Sequence, residues 1–348
     1  MRRTESPVLH AKVCAMYGKR LKREDFTDLL SKNSLEDITV ALKEHHAYGP
    51  VLTAIDPSLV HRGHLEAVLK KEYFRDLLKL FHYLGREDQK FLRIVIRRYE
   101  IEEILWCLGR LHDPGVSRAG FVDYKYEYFD RYSDLNFEKL SVLKDEKELI
   151  EALADTPYGS ILAALPDKTG RISYATAEHH LHSYYFKVLF ADLKKRYGDQ
   201  KASRIEKTVG IEVDTINILL IYRLRILFRL PEEQTKQYLF EACYKLRPEM
   251  KKALLAADTE EQFVEALRAT PYRFIADNAG GITFQNAVHA YADRSARKII
   301  HFSRHPVALI LAFLVLKETE MRNLKTVIEG CRYHTPQEEL ASYLIVTE

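Results

Sequence analysis

The feature that most constrains the fold is an eight-residue phrase that occurs twice. Residues 151–158 read EALADTPY and residues 265–272 read EALRATPY, so six of eight letters agree across 114 residues. An internal repeat defines the unit from which a fold is built, and missing it would misassign the whole architecture. The spacing therefore predicts similar domains that recur about every 110 residues.

A capping signal precedes both phrases and identifies a third copy. Asp145 and Thr259 are followed three residues later by Glu148 and Gln262, which is the spacing of a helix capping box. Ser34 begins a fainter copy near the N-terminus. Each cap precedes apolar residues at i, i+3 and i+4, which predict one buried helix face: Ile38, Ala41 and Leu42; Leu149, Ala152 and Leu153; Phe263, Ala266 and Leu267.

A tyrosine closes each copy, at Tyr48, Tyr158 and Tyr272. In the last two copies a proline precedes it. Because proline is incompatible with a helix interior, we predict that it ends the short helix and turns the chain. The tyrosine is then expected to pack back onto the helices.

Two long helical patterns follow each copy. The first set spans roughly 64–84, 177–197 and 284–302, and the second spans roughly 87–111, 201–230 and 306–332. The apolar–polar alternation of strands is nearly absent. We therefore predict an all-α chain of three similar helical domains, at residues 1–125, 126–240 and 241–348.

A second shared phrase lies on the later helices, where an acid is followed three residues on by Asn or Glu. The pairs are Glu100 with Glu103, Asp214 with Asn217, and Glu320 with Asn323. Positions i and i+3 share one helix face, so each pair is a polar spot on an apolar surface. A buried polar spot must be hydrogen-bonded. We favour an interhelical hydrogen-bond lock, and the alternative is a polar spot that lines a central concave surface.

Signatures of catalysis and cofactor binding are missing from the sequence. It has no GxxxxGK[ST], GxGxxG or GxSxG motif. The histidine clusters His179-His180-x-His182 and His45-His46 lack the spacing of a zinc site. His112-Asp113 precedes Pro114-Gly115 and fits a helix stop better than a hydrolase motif. We predict no catalytic residue, no cofactor and no metal.

The composition argues against several further classes of protein. The net charge is only +3, which argues against nucleic-acid binding. Four widely spaced cysteines indicate reduced thiols in a cytoplasmic protein. The basic N-terminus has no apolar run behind it, so no signal peptide is expected. The longest apolar run, residues 307–316, is half the length that a bilayer requires, so it predicts a buried helix.

Basic residues cluster on or beside the long helices. The clusters are Arg93, Arg97 and Arg98; Lys194, Lys195 and Arg196; Arg223, Arg225 and Arg229; Arg294, Arg297 and Lys298. The favoured interpretation is that they solvate outer helix faces, with their stems covering apolar surface. The alternative is a basic rim that faces an acidic protein partner or lipid headgroups.

Several segments together resemble a known family. LVLKETEMRNLKTVIEGCRYHTPQEELASYLIV, GIEVDTINILLIYRLR and the TPY turns resemble the C subunit of archaeal and bacterial V/A-type ATP synthases, the family that includes the d subunit of the eukaryotic vacuolar proton pump. KETEMRNLKTVIEG is the most specific part. Glu103 stands where the family pattern usually has Asn, and no proline precedes Tyr48.

The resemblance implies a non-catalytic part of a rotary motor. Family members are funnel-shaped, with three helical domains in pseudo-threefold arrangement. They rest on the membrane proteolipid rotor ring and receive the tip of the central axle. The expected location is therefore cytoplasmic and peripheral, with indirect membrane association through the ring. The structural or interface candidates are Glu100, Glu103, Asp214, Asn217, Arg223, Glu320, Asn323, Tyr48, Tyr158 and Tyr272.

Two other functional classes also remain consistent with the sequence. One is a helical-repeat scaffold for protein interaction unrelated to ion transport, although solenoid repeats are shorter, about 20–50 residues. The other is a metal-dependent hydrolase, for which stoichiometric metal on a histidine cluster would be the signature. The sequence leaves open whether a motor would carry H⁺ or Na⁺.

Overall fold

Helices form all the regular structure in the residues that the structure describes. The structure is a computed structural model, which describes residues 6–113, 132–279 and 284–345, without the side chains of 198–204. The all-α prediction is confirmed.

Two compact units divide the chain: Gly85–Gly198 is one, and Met1–Leu84 with Asp199–Glu348 is the other. Up to the first gap the helices are α1 (Pro7–Gly18), α2 (Arg23–Leu30), α3 (Leu35–Glu44), α4 (Gly49–Leu52), α5 (Arg62–Phe81) and α6 (Arg86–His112), with a 3₁₀ turn at Pro57–Leu59. After it come α7 (Phe137–Ser141), α8 (Glu146–Ala152), α9 (Pro157–Ala163), α10 (Tyr174–Ile221), α11 (Glu232–Lys236), α12 (Pro248–Leu255), α13 (Glu260–Arg268), α14 (Arg273–Asn278), α15 (Phe284–Phe302), α16 (Pro306–Tyr333) and α17 (Gln337–Tyr343).

The three predicted helix starts are confirmed. The side chains of Ser34, Asp145 and Thr259 each accept a hydrogen bond from the backbone N–H three residues later, at the starts of α3, α8 and α13. In two copies the side chain three residues after the cap also accepts a bond, from the backbone N–H of the residue before the cap. Glu148 Oε2 accepts from Lys144 N at 2.8 Å, and Gln262 Oε1 accepts from Asp258 N at 3.0 Å. The caps satisfy N–H groups that have no partner within the helix.

The predicted role of proline is wrong at Pro157 of the first TPY turn. Helix α8 has already ended at Ala152, and Pro157 is instead the first residue of α9. Proline suits a first helical position because the N–H that it lacks has no intrahelical partner there. Threonine makes the turn: Thr156 Oγ1 donates to Leu153 O at 2.7 Å and accepts from Tyr158 N. Thr270 makes the matching bonds to Leu267 O and Tyr272 N in the other copy.

Two copies contain the predicted pair of separate long helices, and the other copy has a single continuous helix instead. Gly85 caps α6, and Pro306 begins α16, so each separates a long helix from the one before it. The predicted helices 177–197 and 201–230 instead belong to one helix, α10, which continues as a π-helix over Tyr222–Leu227. Gly198 interrupts the pattern, but a single glycine costs a helix only about 1 kcal/mol.

Two apolar clusters lie in the described part of the larger unit. One joins buried residues of α2–α5 to Leu324, Val327 and Ile328 of the long helix α16. The other packs Ile218 and Ile221 of α10 against buried residues of α12–α15. In the smaller unit, α6 contacts α7 and α8. Each long helix of the second set thus packs against short capped helices. The boundary predicted between residues 125 and 126 lies outside the described residues, and the three-domain division stays a prediction.

Candidate functional site

The predicted tyrosines and the predicted acids meet in pairs. Tyr158 Oη donates to Glu100 Oε2, and Tyr272 Oη donates to Asp214 Oδ2 at 2.5 Å. The side chain of Tyr48 likewise lies beside the carboxylate of Glu320. We call each pair, with the backbone amides that bind its carboxylate, a tyrosine–carboxylate junction and name it by its tyrosine.

The Tyr272 junction has the most hydrogen bonds. Asp214 on α10 is fully buried. Its Oδ1 accepts from Tyr244 N at 2.9 Å, and its Oδ2 accepts from Lys245 N at 2.7 Å and Leu246 N at 2.8 Å. With the hydroxyl of Tyr272, one carboxylate therefore serves four donors. It joins the long helix both to the segment that leads into α12 and to the turn after α13.

The Tyr158 junction repeats this arrangement in the smaller unit. Glu100 Oε1 accepts from Ser133 Oγ at 2.6 Å and from Asp134 N at 2.9 Å, and both donors precede α7. Oε2 accepts from Tyr158. Glu100 and Tyr158 are both buried, at 2% and 1% exposed. The carboxylate again binds the loop before one short helix and the tyrosine after the next.

The Tyr48 junction contains a further charge. Leu21 N donates to Glu320 Oε1 at 2.7 Å, and Lys317 Nζ donates to Glu320 Oε2 at 2.7 Å. The ammonium group also lies 3.4 Å from Tyr48 Oη and 5.2 Å from the centre of its ring. Lys317 and Glu320 are both buried, at 8% and 6% exposed. The ion pair lies within α16, and Leu21 and Tyr48 of the N-terminal segments contact it.

The asparagines of the shared phrase bind backbone in a common way. Asn217 Nδ2 donates to Phe240 O at 3.1 Å, and its Oδ1 accepts from Phe240 N at 2.9 Å. Asn323 makes the same two bonds with Ile345, each at 3.0 Å. Each asparagine amide thus donates one hydrogen bond to a backbone residue and accepts one from it, as a backbone peptide group could. Glu103 is also buried, and the segment that would correspond to Phe240 in its copy lies outside the described residues.

Burial sets the ionisation of the tyrosines. It raises the pKa of Tyr48, Tyr158 and Tyr272 far above the usual range, and the adjacent carboxylates of Glu320, Glu100 and Asp214 raise it further. Burial alone would lower the pKa of Lys317, but Glu320 raises it overall. The hydroxyls therefore stay protonated above the pH at which a free tyrosine ionises, and they can donate there.

The shared motifs predicted the tyrosines and acids of the junctions, but not how they pair and not the part of Lys317. The sequence separation between acid and tyrosine was the signal that could have predicted the pairing. Glu100 precedes Tyr158 by 58 residues, and Asp214 precedes Tyr272 by the same number. Equal spacing between two shared motifs is what a repeated contact produces. The third pair connects opposite ends of the chain, so no such local interval marks it.

Arg223 lies apart from the junctions, at the start of the π-helix. It donates to Gln285 Oε1 at 2.5 Å. Its charge also acts on His289 of α15: burial, and then the charges of Arg322 and Arg223, lower the pKa of that imidazole to about 3. That Arg223 and the junction residues serve an interface with another protein stays a prediction.

The shifted pKa of His289 predicts a loss of stability in acid. Below the ordinary histidine pKa of about 6.5 the unfolded chain takes up a proton that the folded chain refuses down to about 3, so the free energy of unfolding falls as the pH drops. Replacing His289 with leucine removes this component. Chemical unfolding between pH 6.5 and 4 should show the loss reduced by about 3 kcal/mol. The exposed His46→Gln variant is the control, and equal pH dependence in both variants would contradict the assignment.

Many of the predicted basic clusters have partners within the chain. Arg97 Nη2 lies 3.6 Å from Asp134 Oδ2, Arg196 Nη1 lies 2.6 Å from Glu87 Oε2, and Arg297 Nε lies 2.6 Å from the buried Asp293. Arg294 lies over the ring of Phe274, 4.8 Å from its centre. The ion pairs neutralise part of the charge of these clusters, and a basic rim that faces a partner stays a prediction.

Other classes of site find little support in the described residues. Across 6–113, 132–279 and 284–345, no three His, Cys, Asp or Glu side chains are grouped as a metal site requires. His112 ends α6 and its Nε2 pairs with Glu146 Oε1 at 2.9 Å. Within the same residues, no helix combines the length and apolarity that a membrane crossing requires.

An all-helical protein with a repeated, buried tyrosine–carboxylate junction is the class that these contacts define. A sequence model of the ATP synthase (C/AC39) subunit matches residues 9–343. The chain therefore belongs to the ATP synthase C/AC39 subunit family, and the resemblance stated from its motifs is confirmed.

Relatives of the chain match it along nearly its whole length. The chain is 25% identical to the C subunit of the A-type ATP synthase of Methanosphaera stadtmanae, over 97% of this chain and 86% of the relative. It is 24% identical to the proteins of the same name from Methanosarcina barkeri, over 98% and 92%, and Methanocaldococcus jannaschii, over 97% and 85%.

Proposed function

We propose that this chain is a non-catalytic central-stalk subunit of a rotary V/A-type ATP synthase or ATPase. In this proposal it is a socket that couples the central axle to the membrane proteolipid ring during proton or sodium transport. The observation that carries the proposal is the family match over residues 9–343, because it includes both compact units rather than one shared module.

The junctions suit a part that transmits torque. Each one joins a long helix to the segments before and after short capped helices, through a carboxylate that serves two to four donors. Helices that are fixed at such buried points cannot slide without exposing unpaired polar groups, each of which costs about 1–3 kcal/mol. Dense interiors also compress little under load. The chain would then turn with its partners as a stiff body.

The proposal also implies which functions belong to other subunits of the complex. ATP binding and ion carriage belong to other subunits, which fits a sequence without a nucleotide-binding motif. Membrane association is peripheral, through the proteolipid ring. The three domains at 1–125, 126–240 and 241–348 would form a pseudo-threefold funnel between the ring and the axle.

Affinity purification tests the partners directly. The full chain with a C-terminal tag is expressed in cells that contain the complex, and membranes are solubilised in mild detergent. We expect the tagged protein to recover both the proteolipid ring and a central-stalk subunit. Recovery of soluble helical partners without either rotor component would contradict the proposal and favour the protein-interaction scaffold.

A further inference from the structure

Two arginines on the long helices cap the ends of short helices in the same way. In the smaller unit, Arg110 on α6 donates from Nη1 to Ser141 O at 3.2 Å and from Nη2 to Leu143 O at 3.2 Å. In the larger unit, Arg225 donates from Nε to Leu255 O at 2.8 Å and from Nη2 to Ala257 O at 3.3 Å. Each guanidinium thus binds carbonyl groups that a helix end leaves without an intrahelical partner.

The two sites correspond residue by residue. The accepting carbonyls belong to the residues four and two positions before the caps Asp145 and Thr259. Arg110 follows the acid Glu100 by ten residues, and Arg225 follows Asp214 by eleven. The extra residue is explained by the π-helix at Tyr222–Leu227, since such a segment typically inserts one residue into a helix.

The N-terminal copy of the repeat has the corresponding carbonyl groups but no arginine at the corresponding position of its long helix. Counting back from the cap Ser34 places the corresponding carbonyls at Leu30 and Lys32, after α2. Counting forward from Glu320 places the arginine position at Gly330. A cavity of about 220 Å³ lies there, and Leu30, Lys32 and Gly330 all line it. The side chain of Lys32 is already paired with Asp28, at 2.7 Å.

Helix α17 explains why this copy carries no arginine of its own. The side chain of Leu340 lies against Gly330, where a Cβ atom would collide with it. An arginine at this position would have to push the Leu340 side chain aside, and with glycine here α16 supplies no guanidinium to these carbonyls. Cys331, His334 and Gln337 form the rim, and the described lining contains no carboxylate.

We infer that this cavity, lined by the ends of α2 and α16 and by α17, binds an arginine side chain presented by a partner protein. The carbonyls of Leu30 and Lys32 would accept from its guanidinium, as their counterparts do from Arg110, without a carboxylate such as Asp258, which also binds Arg225. A planar group with five donors can bind several carbonyl oxygens at once, which an ammonium does less well. A polypeptide source fits better than free arginine, because no carboxylate of the lining would bind the α-ammonium group.

Binding of a blocked arginine tests the inference without knowledge of the partner. The probe is N-acetyl-arginine-N-methylamide, added to the full chain with labelled leucine and valine methyl groups. We expect saturable NMR shifts at Leu29, Leu30, Val327 and Leu340, all of which line the cavity. The citrulline derivative has the same shape without the charge and should shift them far less. Equal shifts with citrulline, stronger binding of free arginine, or no saturable shift would each overturn the inference.

A matched pair of variants provides a second test. Gln337 is exposed and lies on the cavity rim, so substitutions there should leave the fold intact. Gln337→Arg supplies a guanidinium from within the chain and should abolish probe binding while raising the melting temperature. Gln337→Met has a similar length without the charge and should keep probe binding. Undiminished binding by Gln337→Arg would contradict the assigned site.

Discussion

Replacing Lys317 with methionine is expected to lower the free energy of unfolding by about 3–5 kcal/mol. The substitution keeps the length of the side chain but leaves the carboxylate of Glu320 buried without its positive partner. A charge without compensation in the interior costs far more than a lost surface contact. Urea unfolding at pH 7 measures the effect.

Two further variants show whether the ion pair itself is responsible. Lys317→Met combined with Glu320→Gln removes both charges and should recover much of the loss, because replacing a whole buried pair is often nearly neutral. The exposed pair Lys147–Glu151 is the surface counterpart, with 3.9 Å between its charged atoms. Lys147→Met should leave stability unchanged. A double variant as unstable as Lys317→Met alone would show that packing, not charge, causes the effect.

Replacing Asp214 with alanine is expected to cost at least about 4 kcal/mol. The substitution leaves three buried backbone N–H groups and the hydroxyl of Tyr272 without their acceptor. It should also increase hydrogen exchange at Lys245 and Leu246, since their amides lose the bonds that hold the segment before α12. Urea unfolding and exchange measured by mass spectrometry report the two effects separately.

Tyr272→Phe is the matched control because it removes one donor and keeps the carboxylate. Asp214 then retains its three backbone partners, so the cost should be only about 1–2 kcal/mol. The exposed Asp155→Ala variant should change nothing measurable. If Asp214→Ala were no less stable than Tyr272→Phe, the carboxylate would not be the centre of the junction.

Local features of the fold were predictable because local chemistry decides them. The caps Ser34, Asp145 and Thr259 were predicted from a spacing of three residues and are confirmed as helix starts. Helix bounds such as Phe284–Phe302 also follow the apolar period. The same reasoning failed at Pro157, where the residue that was expected to end one helix begins the next. Proline fits either place, and only the following residues decide between them.

The partners across the fold were not predictable in the same way. Periodicity shows which helix face is buried but not what lies opposite. It therefore predicted a polar spot at Asp214 and left open that loop amides and a tyrosine bind it. The contact between Tyr48 and α16 is harder still, because it joins residues 269 positions apart. The capping by Arg110 was missed because its acceptors are backbone carbonyls, which every residue carries.

The most direct test of the central claim is the coupling of ATP hydrolysis to ion transport in complexes with and without this chain. If the chain is the socket between axle and ring, complexes without it should hydrolyse ATP but fail to transport ions into vesicles. Adding back the purified chain should restore transport. Ion transport that stays fully coupled to hydrolysis in the absence of the chain would contradict the account.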